Sequence, residues 1–137
     1  MRLEDAKRVS ELCVQLGYPA TIEEAHKRIG EMLSMPYHEA FVSTDDNVVT
    51  GWIYAFRSFN IESNPFIEIG GLIVDENYRG HGIGKDLIEK VRQWALTNDV
   101  HELRVRTNIR RIESHKFYTA MGFKTTKEQK VYNLPVD

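Results

Sequence analysis

Cysteine is nearly absent from this chain: Cys13 is the single one among 137 residues. An internal disulfide is thereby excluded, and a lone thiol fits a reducing compartment, with the cytoplasm as the expectation. Proline is scarce at four residues, and no proline-, glycine- or serine-rich run marks a linker. One domain over residues 1–137 is therefore expected. Long apolar runs are missing too. The longest, Ile69–Val74, falls far short of the roughly 18 residues that span a bilayer, and the charged N-terminal stretch lacks the apolar centre of a signal peptide. Neither charge sign dominates, since 18 basic and 20 acidic residues leave a formal net charge of −2. That balance speaks against a nucleic-acid binder held by bulk electrostatics. The five histidines show no ligand spacing, so no metal is expected.

What is present is strong periodicity. A stripe of Leu3, Ala6, Val9, Leu12, Cys13 and Leu16 predicts a helix from about Glu4 to Leu16, stopped by Gly17-Tyr18-Pro19. Cys13 lies on that stripe, which makes it a buried, inert thiol. Thr21-x-x-Glu24 is a capping-box pattern that opens a second helix, with Ile22, Ala25, Ile29, Met32 and Leu33 on its buried face. Glu39–Thr44 and Val48–Phe59 flank the turn-rich Asp45-Asp46-Asn47 and predict a hairpin. Phe66–Val74 reads as a strand buried on both faces, interrupted by Glu68 and by the pair Gly70-Gly71. A helix from Ile83 to about Leu96, a strand over His101–Thr107, a helix from Ile112 to Met121 ending at Gly122, and strand structure over Phe123–Leu134 complete the pattern.

The hexapeptide Arg79-Gly80-His81-Gly82-Ile83-Gly84 stands between the long strand and the third helix. Its glycines leave backbone N–H groups uncovered, and a helix N-terminus adds partial positive charge, so the local reading is an anion cradle for a pyrophosphate. Arg79 and Lys85 flank it. A P-loop is excluded because Gly84-Lys85 is followed by Asp86 and position 79 is Arg. A dinucleotide-binding Gly-x-G-x-x-Gly fails as well, since the spacing is Gly-x-Gly-x-Gly and Asp75–Tyr78 separate it from the strand.

Arg79, Gly82 and Gly84 do form Arg-x-x-Gly-x-Gly behind an extended segment ending Val74-Asp75-Glu76-Asn77-Tyr78. This resembles the acetyl-CoA-binding signature of the GNAT superfamily of N-acetyltransferases. Thr107-Asn108-Ile109-Arg110-Arg111, then His115-Lys116-Phe117-Tyr118 and Gly122-Phe123, resemble that family's second signature. Together they cover roughly Phe66 to Phe123. The resemblance implies an α/β (α+β) fold with a central mixed, mostly antiparallel sheet flanked by helices. Family members usually begin with a strand before a motif like Arg2-Leu3-Glu4-Asp5, so here the first strand is expected to be short or missing. The Glu39–Thr44 strand then becomes an edge that a partner subunit, for example in a homodimer, or N-terminal packing must cover.

The implied activity is transfer of the acetyl group of acetyl-CoA directly to a primary amine of a small molecule or peptide, with no nucleic acid or membrane as partner. By family match Tyr118 is the candidate general acid; packing of the Phe117-Tyr118 pair is the plain alternative. Glu68 is the candidate base, and an ion pair with Arg104 or Arg106 competes with that reading. Glu62, Asp75 and His115 stand in reserve. The resemblance assigns Leu72, Ile73 and Val74 to the pantetheine arm, and Arg79, Gly80, His81, Gly82, Ile83, Gly84 and Lys85 to the pyrophosphate. Asn108 and Arg111 are assigned elsewhere along the coenzyme. Trp52, Tyr54, Phe56 and Phe59 suit an aromatic-walled acceptor pocket or a core equally well. The rival reading from another class is a non-catalytic acyl-CoA-binding sensor or regulatory module of the same fold.

Overall fold

The computed structural model describes all residues, Met1–Asp137. They form two compact units, Met1–Arg106 and Thr107–Asp137. The larger unit opens with a 3-10 turn, Leu3–Asp5, and helices α1 (Ala6–Leu16) and α2 (Ile22–Ser34). Strands β1 (His38–Asp45), β2 (Val48–Asn60) and β3 (Ser63–Val74), helix α3 (Ile83–Thr97) and the short strand β4 (Leu103–Val105) follow. The smaller unit holds helix α4 (Ile112–Ala120).

Local chemistry explains the boundaries. Thr21 Oγ1 accepts from Glu24 N–H at 3.1 Å while Glu24 Oε2 accepts from Thr21 N–H at 2.9 Å, so the capping box forms as expected. Asp46 and Asn47 both take positive φ, 47° and 63°, which is the two-residue turn whose twist matches a β-hairpin. In the smaller unit α4 ends in a Schellman pattern: Gly122 N–H reaches Thr119 O and Phe123 N–H reaches Tyr118 O, each at 3.0 Å.

The sheet order is β1-β2-β3-β4, antiparallel except for the parallel β3–β4 pair. Ala6, Val9 and Leu12 of α1 and Ala25 and Ile29 of α2 join Val49, Trp52 and Ile73 in one apolar cluster. Gly51 faces Ile83 and Leu87 of α3. Neighbouring strand residues point to opposite faces, so α3 covers one side of the sheet and α1–α2 the other. β1 is an edge, and two groups blunt it at Ala40: the Met1 amino group donates to Ala40 O at 3.1 Å, and Glu39 Oε1 accepts from Ala40 N–H at 3.0 Å. The expected N-terminal cover therefore exists at one residue of that edge.

Three features differ from expectation. β3 starts three residues earlier than expected, at Ser63, and its Leu72 and Val74 are only half-buried. β4 spans three residues rather than His101–Thr107. The strand expected over Phe123–Leu134 is absent, and Val131, Tyr132 and Leu134 are 83–90% exposed. Alternation favours an extended segment, but a strand exists only where another strand accepts its ladder, and no partner is hydrogen-bonded here.

β3 carries a bulge where the glycine pair predicted one. The register passes from Tyr54↔Gly71 to Ala55↔Ile69, leaving Gly70 unpaired. A Cβ built on Gly70 would lie 2.8 Å from Tyr54 Cδ1 and 3.4 Å from Phe56 Cε1. Gly70→Ala should therefore destabilise by about 1–3 kcal/mol, the cost of overpacking. Gly30→Ala, mid-helix with only an ordinary 3.5 Å contact to Leu3, should stabilise by about 0.5–1 kcal/mol. Denaturant unfolding of both variants checks the pair; an unchanged midpoint for Gly70→Ala would show that the ring moves aside at no cost.

Candidate active site

β3 and β4 run together for only three pairs, Ile67↔Leu103, Glu68↔Arg104 and Ile69↔Val105. Beyond Ile69 the β4-side edge of β3 has no ladder partner. Asp75 N–H donates to Thr50 O at 2.8 Å. By strand alternation Gly71 and Ile73 direct their backbone groups to β2, whereas Leu72 and Val74 turn theirs to the open side. Val74 O takes one donor there, Arg79 Nε at 3.2 Å. Ile73, between them, sends its side chain into the core.

The open edge leads directly into the glycine loop. Gly80 and Gly82 adopt φ of 84° and 79°, and a Cβ on either would meet nothing within 4 Å. Gly82 is the N-cap of α3 and supplies no side-chain cap. The first backbone bond into the helix is Asp86 N–H to Gly82 O at 3.0 Å; no backbone N–H from Gly80 to Lys85 donates within the chain. A run of unengaged donors over open space at a helix N-terminus is what a diphosphate requires, so these residues fit coenzyme A. His81 and Lys85 are exposed beside it, and His81 Nδ1 donates to Tyr78 O at 3.0 Å.

Glu68 lies on β3 immediately before the open edge. Its side chain is 16% exposed, and Oε1 accepts from Arg106 Nε at 2.7 Å. Arg104 instead lies over the Phe66 ring, 3.9 Å from its centroid. The predicted ion pair is thus real, and it orients the carboxylate. Opposite Glu68 in the register is Phe56, which stacks with His38 at 5.6 Å. Tyr54 stacks on His38 as well, and its hydroxyl lies 2.6 Å from His38 Nδ1. Burial pushes the Tyr54 phenol above its ordinary range, so it stays protonated at neutral pH and shares a hydrogen bond with the imidazole. Of the four aromatics noted on β2, Trp52 is core, Tyr54 and Phe56 form this wall beside the bulge, and Phe59 is exposed at the hairpin end.

In the smaller unit, Tyr118 is held edge-on between Phe117 at 5.1 Å and Phe123 at 5.5 Å. Burial pushes its phenol up to about 12, against a small opposing effect of Arg111. Asn108 builds the turn before α4: its Oδ1 accepts from Arg110 N–H at 2.9 Å, and its carbonyl accepts from Arg111 N–H and from His115 Nε2. His115 is thereby occupied locally. Arg111 is exposed.

The acetyltransferase (GNAT) family model matches residues 7–123. The chain belongs to the GNAT family. As a GNAT acetyltransferase it is an acetyl-CoA-dependent N-acetyltransferase, and both signatures seen in the sequence lie inside the matched span. Among curated proteins it is 27% identical to aminoglycoside N(6')-acetyltransferase type 1 of Serratia marcescens over 124 residues, 84% of this chain and 83% of that one. It is 38% identical to N-acetylaspartate synthetase of Xenopus tropicalis over 63 residues, 46% of this chain and 23% of that protein. The chain thus spans about a quarter of the latter's length. Among solved structures, AAC(6')-Iy in complex with the bisubstrate analog CoA-S-monomethyl-acetylneamine superimposes with a TM-score of 0.85 at 25% identity, covering 99% of this chain and 95% of that one.

Reading the GNAT sequence alone missed Arg8 and Gln15 of α1, which converge on Asp75 between β3 and the cradle. Their one signal is a polar stripe, Arg8, Glu11 and Gln15, at helical spacing. It also missed the His38–Tyr54 pair, because His38 lies before the strand limit assigned from pattern. No helix is long and apolar enough to cross a membrane.

The Tyr118 phenol generates a prediction. A group whose folded pKa is raised stabilises the fold fully below its unfolded value, near 10, and that contribution is lost as pH rises toward 12. Phenolate absorbance of the wild type should show one tyrosine titrating about two units late, and Tyr118→Phe should remove that component. A Tyr118 that titrates with the exposed tyrosines would refute its desolvation.

Proposed function

We propose that this chain transfers the acetyl group of acetyl-CoA directly to a primary amine of a small molecule, as a single N-acetyltransferase domain over residues 1–137. The observation that carries the reading is the run of unengaged N–H donors from Gly80 to Lys85, continuous with the unpaired edge of β3 at Leu72 and Val74. Within it, the N–H groups of Arg79–Lys85 hold the diphosphate with Arg79 and Lys85 in support. Leu72 and Val74 bind the pantetheine arm in strand fashion. Asn108 and Arg111 serve the remainder of the coenzyme. The family match across residues 7–123 supports the single domain. The single cysteine fits the cytoplasm.

Small-molecule acceptors are favoured by the relatives, whose printed names include aminoglycoside and streptothricin acetyltransferases. An alkyl ammonium has a pKa near 10.4, so the acceptor arrives protonated and must lose a proton before its nitrogen can attack. Glu68 takes that proton; Arg106 keeps the carboxylate aimed. The new C–N bond forms at the acetyl carbon as the C–S bond breaks, and charge develops on sulfur. A phenol near pKa 12 cannot fully surrender its proton to a thiolate of pKa about 8.5 without an uphill cost of about 5 kcal/mol. Tyr118 therefore contributes a hydrogen bond to the sulfur, and solvent completes the protonation.

Two measurements test this. Saturating acetyl-CoA should raise the melting temperature; a hundredfold excess over Kd is worth about 2.7 kcal/mol. An amine panel read by thiol release should then show turnover, with Glu68→Gln and Tyr118→Phe each lowering kcat about tenfold or more. Coenzyme binding with no turnover on any amine would replace the enzyme by a binding module. An unchanged kcat in either variant removes that residue's role.

A further inference from the structure

Asp75 is only 4% exposed, yet it is a carboxylate. Three donors hold it: Arg8 Nη2, Gln15 Nε2 at 3.3 Å and the backbone N–H of Asn77 at 3.1 Å. The Asn77 hydrogen bond and the pairing with Arg8 and Gln15 keep its pKa below the usual carboxylate range despite burial. Gln15 completes a second bond, its Oε1 accepting from Glu76 N–H at 2.9 Å. Arg8 is itself fixed, with Nε donating to Val49 O at 2.9 Å and Nη1 to Glu11 Oε2 at 2.9 Å.

A sharp division results along the backbone. Asp75 N–H goes to Thr50 O, Glu76 N–H to Gln15, Asn77 N–H to the Asp75 carboxylate and Tyr78 N–H to Asp75 O. Every donor from 75 to 78 is thus used inside the protein, while those from Gly80 to Lys85 are not. Two of the four engaged donors are held by side chains, and α1 holds Asp75 through two more bonds from a distance of 60 or more residues in sequence. The packing of α1 does not need this: its core contacts come from Ala6, Val9 and Leu12 on another stripe.

We infer that Arg8, Gln15 and Asp75 form a clamp that holds the β3–α3 turn in its coenzyme-binding shape, making them positioning residues for acetyl-CoA affinity. The inference rests on the cradle being the diphosphate site. A glycine-rich loop is costly to order, because glycine has the most backbone freedom to lose. With residues 75–78 fixed beforehand, the glycine loop is anchored at its start and has fewer arrangements to lose on binding, and affinity rises accordingly. Loss of the clamp removes preorganisation but no contact with the reacting atoms.

The test is calorimetric titration of acetyl-CoA with steady-state kinetics on wild type, Asp75→Asn and Gln15→Ala. Asp75→Asn should raise both Kd and KM for acetyl-CoA about tenfold, and Gln15→Ala about threefold, corresponding to about 1.4 and 0.6 kcal/mol. Under saturating coenzyme kcat should fall by less than about threefold, and the acceptor KM should not follow. Should Asp75→Asn not fold, Gln15→Ala, which leaves the Arg8–Asp75 pair intact, decides alone. Variants that melt earlier but bind the coenzyme as wild type does would reduce the clamp to a structural brace and overturn the inference. A fall in kcat with unchanged Kd would overturn it as well. Wild type that fails to bind acetyl-CoA would instead overturn the cradle assignment itself, taking the clamp's role with it.

Discussion

The parallel pairing of β3 with β4 ends after Ile69↔Val105, and the site depends on that early end. A β3 edge paired to its last residue would present no free N–H or C=O at Leu72 and Val74, and the glycine loop would open onto a closed sheet. Backbone polar groups in a sheet are costly to leave unmet. An open strand edge is tolerated where solvent or a ligand can reach it, and here that edge continues into donors at the helix N-terminus that are equally unengaged. One continuous main-chain surface results, of strand type first and of helix-terminus type after the turn. That is the shape of an extended molecule with an amide-bearing arm and a diphosphate end.

The bulge at Gly70 belongs to the same constraint. By inserting one residue it changes which β3 backbone groups face β4, and it does so at the point where pairing stops. It also brings the Tyr54 and Phe56 rings down onto the strand, because only a glycine leaves room for them. The wall of His38, Tyr54 and Phe56 and the carboxylate of Glu68 therefore meet the open edge at one place in the larger unit. A neutral phenol bonded to an imidazole nitrogen, with flat rings beside a carboxylate, offers a surface with both apolar and acceptor character.

Much of this was legible beforehand, for definable reasons. Helices α1 to α3 announced themselves by 3.6-residue periodicity, α2 also by its start signal Thr21-x-x-Glu24, α4 by its terminal Gly122, and the β1–β2 turn by Asp46-Asn47. The glycine cradle could be read because its chemistry is local: the residues that leave the donors free are the residues that contain them. Glu68 stood out as one carboxylate in an apolar run. What could not be read depends on partners distant in sequence. The pairing of Glu68 with Arg106 rather than Arg104 depends on the β3–β4 register. The strand expected after Phe123 failed because extension is a local property and pairing is not. Asp75 was noticed only as a spare carboxylate, since nothing in its neighbourhood reveals that Arg8 and Gln15 come from a helix more than sixty positions earlier.

The Asp75–Arg8 pair ties helix α1 to the end of β3. Replacing a buried ion pair by apolar residues is often neutral for stability, so its presence is weak evidence for a stabilising role. Here its geometry is specific: Arg8 bonds Val49 O on β2, Asp75 ends β3, and Glu11 holds the other side of the guanidinium. An apolar substitute would fill the volume but could not receive Asn77 N–H or, through Gln15, direct Glu76 N–H. The polar solution orients the N–H groups of Glu76 and Asn77, which packing alone cannot do, because apolar contacts set distance without orienting N–H vectors. In a site built almost entirely of main-chain donors, orientation of the chain is the specificity, and a buried charge is a reasonable cost for it.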